Sequence, residues 1–155
     1  MIDRTPDAVL DLIEGVDCVN NFAFLPHRRV IADGNVTPHL TLCNCLLTVY
    51  TAALGCAVPP MLANKQAAWL ASNEGKLAGW MSCDAVTAHA RANLGYPVVA
   101  AATNPVGHGH VALVVPSDVT DAEHLYVSSA GARNFIRCRI ERSFGDLRPT
   151  LFTHA

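Results

Sequence analysis

The sequence predicts an α+β fold, and three patterns predict it. Apolar residues recur at helical spacing from the N-terminus as far as Asn93. Beyond "NLGYP" the period shortens to two in the runs "PVVAAAT", "HVALVVP" and "HLYVSSA". Gly, Pro and Asp clusters separate these runs, so the strands turn back on one another as an antiparallel sheet. At 155 residues, 51% hydrophobic and 15% charged, the chain is expected to form a single domain over residues 1–155 with a substantial core.

Thr5-Pro6-Asp7 reads as a helix start. Thr5 can cap, Pro6 suits the first helical position, and Asp7 meets the positive end of the dipole. Val9, Leu10, Leu12, Ile13 and Val16 then mark its apolar face, with Gly15 near its end. "NNFAFLPHRRVIADGNVTPH" is loop-like, punctuated by Pro26, Asp33-Gly34 and Pro38, with "RRVIA" as a short extended piece. Residues 1–34 thus form a helix-and-loop extension. A helix is expected from Thr41 to Leu54, with Leu42, Leu46, Val49, Tyr50 and Ala53 on one face; Gly55 stops it and Pro59-Pro60 bars continuation. Further helices are expected over Ala63 to Ala71 and Ser82 to Asn93, and "RPTLFTH" is expected to close the sheet. No repeat, low-complexity tract or linker divides the chain.

Composition excludes several function classes. The net charge is −2, and no basic run with interleaved aromatics suggests nucleic acid as a partner. The most apolar stretch, "TVYTAALGCAVPPML", is interrupted by Gly55, Pro59 and Pro60 and falls short of the roughly 20 residues of a membrane helix. "MIDRTPDAVLDL" carries acids early and does not read as a secretory signal, so a protein made in the cytoplasm is expected. The six cysteines are expected to be reduced, with Cys18, Cys56, Cys83 and Cys138 as small buried residues.

The chemistry concentrates in two stretches. "TLCNCLLTVYTAALG" puts Cys43 at a helix start, where the macrodipole and free amide hydrogens favour thiolate over thiol. A nucleophilic thiolate also needs a base, and "NPVGHGHVALVVP" offers His110 at the head of an apolar strand. Alternation puts His110, Ala112 and Val114 on one face and Val111, Leu113 and Val115 on the other. Gly107 and Gly109 leave the neighbouring backbone open to close approach. Cys43, Cys45, His108 and His110 are also zinc-type ligands, so a zinc-binding structural module is an alternative. Two residues apart on a helix point in nearly opposite directions, which sets Cys43 and Cys45 against a shared ion. Ordinary core thiols and unremarkable histidines remain a third reading.

The stretches "TLCNCLLTVYTAALG", "MLANKQAAWLA", "GWMSCDAVTAHARANLGYPVVAAATNPVGHGHVALVVPS" and "VSSAGARNF" together resemble a branch of the NlpC-type papain-like cell-wall hydrolases. That branch includes phage lysins and bacterial amidase effectors. The shared marks are Thr-x-Cys-Asn at the active-site helix, a Gly-His-Val-Ala strand, and Ala-Gly-x-x-Asn one strand later; the resemblance runs from about Asn35 to the C-terminus. It implies a papain-like fold, with N-terminal helices presenting the nucleophile against a C-terminal antiparallel sheet. It also implies a cysteine peptidase or amidase that cuts an amide bond in the peptide stem or cross-link of peptidoglycan, without a cofactor or metal.

Carried over by the same resemblance, the nucleophile falls on Cys43 and the base on His110. Cys45 becomes an inward packing residue and His108 a rim residue. The orienting group falls near Tyr126 to Ser129, where Ser129 is the best-aligned polar residue, ahead of His124 and Asn134. Asn44 would fix the turn beside the nucleophile and its oxyanion donors. Trp80 would be either core or the wall of a substrate groove, and His39 could border the cleft. A catalytically idle binding domain is the remaining alternative. A monomer that reaches the wall through lysis, a holin or a secretion machine is expected, and an effector would have an immunity protein that plugs the cleft.

Overall fold

Thr5 Oγ1 accepts the Ala8 N–H at 3.2 Å and, with Pro6 in the first turn, opens helix α1 (Pro6–Val16). The computed structural model describes residues 3–25, 42–117 and 124–155. The "RRVIA" piece, Pro26, Asp33-Gly34, Pro38, His27, His39 and Thr41 lie outside them. Helices α2 (Cys43–Ala53), α3 (Ala63–Ala71) and α4 (Asn73–Leu77) follow, then strand β1 (Trp80–Cys83), helix α5 (Ala85–Asn93) and strands β2 (Val98–Ala102), β3 (His110–Val115), β4 (Tyr126–Ser129) and β5 (Phe135–Arg139). Helix α6 (Ile140–Phe144) and strand β6 (Thr150–His154) complete the chain.

The six strands form one antiparallel sheet in the order β1-β6-β2-β3-β4-β5, so the last strand is inserted between the first two. Together with six α-helices among the described residues, this is a mixed α and β architecture compatible with the expected α+β class. Helices cover both faces of the sheet. On one, Cys43, Leu46, Leu47 and Tyr50 of α2 and Ala67 and Leu70 of α3 pack on Val99, Ala101, Val111, Leu113 and Val115. On the other, Ala88 and Ala92 of α5 and Phe144 of α6 pack on Val98, Ala100, Ala102, Ala112, Val114 and Val127. Period-two alternation therefore sends successive β3 side chains into two different cores.

Several expectations need correction. A helix from Ser82 is not found: Trp80–Cys83 pairs with β6 from Trp80↔His154 to Cys83↔Leu151, and the helix starts only after Asp84 Oδ1 accepts the Thr87 N–H at 2.7 Å. A partner strand at the far end of the chain leaves no mark on local periodicity. One strand therefore precedes α5, and the chain does not run helices first and sheet afterwards. The buried face of α2 is also rotated. Val49 is 42% exposed, whereas Thr51 is buried, its Oγ1 donating to Leu47 O and accepting the Val58 N–H. All six cysteines are free; Cys18, Cys56 and Cys138 are buried and Cys83 is partly exposed. Among the described residues no helix is long and apolar enough to cross a membrane.

Candidate active site

Helix α2 begins without a side-chain cap at Leu42, and its first residue is Cys43. The helix start is held from the side instead. Asn44 Nδ2 donates to Met61 O at 3.0 Å, and buried Gln66 of α3 donates from Nε2 to Asn44 O, Thr48 Oγ1 and Pro59 O. Asn44 is therefore a structural tie between α2 and the segment entering α3.

The Cys43 side chain is only 3% exposed. Burial pushes its thiol above the ordinary range, outweighing the Val111, Asn44 and Cys43 N–H groups that favour the thiolate. The lowered thiol expected from the helix terminus is thus absent, because desolvation exceeds what the amides contribute. Cys45 is exposed, not an inward packing residue: two positions along α2 turn it away from the sheet that covers Cys43.

His110 opens β3, one residue before Val111, whose N–H favours the Cys43 thiolate. Its Nε2 lies 2.9 Å from Ser143 Oγ of α6, and Ser143 Oγ lies 2.8 Å from Ser129 Oγ at the end of β4. Its ring meets Phe144 edge-on with centroids 4.7 Å apart. Burial lowers the imidazole to about 4, so it is neutral at pH 7. The Ser143 hydroxyl suits either tautomer: protonated on Nε2 the ring donates to it and leaves the Nδ1 lone pair available, and among the described residues Nδ1 has no hydrogen-bond partner. The strand start itself is held by Asn64 of α3, which donates to Asn104 O and Gly107 O and accepts the Asn104 N–H. A Cβ on Gly109 would run into Asn64 Oδ1 and the Ala102 carbonyl, so glycine is needed for this approach.

A cleft of about 460 Å³ opens over the imidazole, lined by His108, Gly109, His110, Gly131, Ala132, Arg133, Phe135, Arg142 and Ser143. His108 is exposed on it. Cys43 is not part of its lining. The thiol belongs to the core on the α2 side of the sheet and the imidazole stacks on Phe144 on the α6 side. They approach the first residues of β3 from opposite layers, and among the described residues no hydrogen bond joins them.

Ser129 reaches His110 only through Ser143, which sequence reasoning missed; α6 is a five-residue helix without a readable apolar period. Asn134 is spent on structure, accepting the Gly131 N–H and donating to Cys18 O and Phe24 O. Trp80 is fully buried against His154 and does not line the His110 cleft. The four residues of the zinc alternative are not gathered: among the described residues no three His, Cys, Asp or Glu side chains could hold one metal ion. No family model and no curated protein matches this chain.

Proposed function

We propose that the chain is a papain-like cysteine hydrolase that cuts an amide bond in peptidoglycan, in the peptide stem or cross-link. One observation carries it: Cys43 opens α2 in the core packed on Val111, the residue after a neutral imidazole whose Nε2 is held by Ser143, itself held by Ser129. A base oriented through one ring nitrogen and free at the other is the arrangement that activates a nucleophile. The wall peptide as substrate rests on the resemblance of the Thr-x-Cys-Asn and Gly-His-Val-Ala segments.

The reaction requires the first residues of β3 to shift so that Cys43 Sγ and His110 Nδ1, which lie in opposite layers at rest, come within reach; the thiol then gives its proton to Nδ1. The sulfur then bonds to the substrate carbonyl carbon. The imidazolium returns the proton to the departing amine as the carbon–nitrogen bond breaks. Water, losing a proton to the same nitrogen, breaks the thioester and releases the acid. The uncapped N–H groups at the start of α2, those of Cys43 and Asn44, are the donors for the oxyanion. Purified cell walls test the assignment: Cys43→Ala and His110→Ala should each abolish clearing while leaving the fold intact. Clearing by Cys43→Ala overturns it.

A second reading has its own observation. A buried, protonated thiol in the layer opposite a neutral imidazole is the resting state of an idle domain that binds wall peptides without cutting them. Retention on walls by both wild type and Cys43→Ala, with no released peptide, favours that reading.

A further inference from the structure

The cleft over His110 carries two arginines and no acid in its lining. Arg133 stands on the turn after β4 and Arg142 on α6, and both line the cleft that holds the imidazole and Ser143. Both are exposed, and among the described residues neither has a carboxylate partner. The Arg142 guanidinium lies over the Phe135 ring, 5.1 Å from its centroid, which holds it at the cleft wall. The surrounding segment is the basic part of a chain whose net charge is −2. Residues 133–142 hold Arg133, Arg137, Arg139 and Arg142 against Glu141 alone.

An arginine fork matches a carboxylate in two parallel hydrogen bonds, and a fork anchored on an aromatic ring loses less freedom in forming them. Gly109, Gly131 and Ala132 in the lining have no bulk and leave room for a peptide backbone between the arginines and His108. From this geometry we infer that Arg133 and Arg142 bind a free carboxylate on the substrate peptide, next to the amide presented to His110. The chain therefore selects acidic peptides over their carboxamide counterparts. This deepens the proposed hydrolase and rests on it for the identity of the amide. The anion also places a negative charge beside the imidazole, which a cleft walled by cations otherwise lacks when His110 takes the proton.

Two probe peptides test this: an alanyl-γ-glutamyl-lysine with a free glutamyl α-carboxylate, and its α-carboxamide twin. Calorimetry on the full chain carrying Cys43→Ala, with Cys43→Ser as the second variant should the first fold poorly, should show the acid bound about tenfold more tightly. Arg142→Met should bring the two affinities within a factor of about three, Arg133→Met should do so in part, and neither should change binding of the carboxamide. Equal binding of the twins, or no binding of either, overturns the inference. Turnover of the same pair by the wild-type chain separates the two ideas. Preference in binding without cleavage removes the hydrolase and leaves the carboxylate site, whereas cleavage of both at equal kcat/KM removes the carboxylate site alone.

Discussion

Ser143 Oγ stands 2.9 Å from His110 Nε2 and 2.8 Å from Ser129 Oγ, so a hydroxyl on α6 joins two neighbouring strands at the imidazole. The group that fixes the ring comes from the short helix between β5 and β6, with the strand serine one step behind it.

Removal of that hydroxyl should release the ring. Ser143→Ala is expected to cost about 1 kcal/mol of stability and, in the proposed hydrolase, to lower kcat more than KM, since a ring free to turn presents Nδ1 only part of the time. Ser129→Ala, acting through Ser143, should lower kcat less. Urea melts together with steady-state kinetics on wall peptides check both, and Ser143→Thr should restore more activity than Ser143→Ala.

Burial of His110 sets a pH dependence of stability. Its folded value of about 4 lies below the 6.5 of an exposed histidine, so the unfolded chain binds the extra proton between these limits. Stability from this group is intact above pH 6.5 and falls as pH drops toward 4, by about 3 kcal/mol in all. Denaturation at pH 7 and pH 4.5 should show the loss in the wild type and a flatter response in His110→Gln.

Thiol reactivity should divide by exposure. Cys45 is open to solvent, while Cys43 is buried with its thiol raised. A disulfide reagent at pH 7.5 should label Cys45 first, ahead of the partly exposed Cys83, and Cys45→Ser should remove that fast phase. Cys43 should react only slowly unless the pH is raised or the chain is unfolded.

Asn64 holds the loop that delivers His108 and His110. Asn64→Ala removes three hydrogen bonds to Asn104 and Gly107 and should cost about 1–3 kcal/mol. Gly109→Ala, which forces a methyl into Asn64 and the Ala102 carbonyl, should destabilise by 2 kcal/mol or more (~2–4). Thermal melts rank the two, and both should broaden the amide signals of the β3 start.

Much of the local structure was legible in the chain. Thr5 and Pro6 announce α1, Ala63–Ala71 is the expected helix, and the alternation from His110 to Val115 sorts those residues between two cores. These follow from interactions within a few residues, which leave a period or a cap in the sequence. The candidate nucleophile and base were legible as residue types in their settings, a cysteine at a helix start and a histidine at a strand head.

Tertiary structure alone decided the rest. That Trp80–Cys83 is a strand depends on β6, that Ser143 holds His110 depends on the return of α6 over the sheet, and that Cys43 stays protonated depends on how much chain covers it. A helix terminus lowers a thiol through a field visible in sequence, whereas desolvation depends on every neighbour brought from elsewhere, and at Cys43 desolvation is the larger.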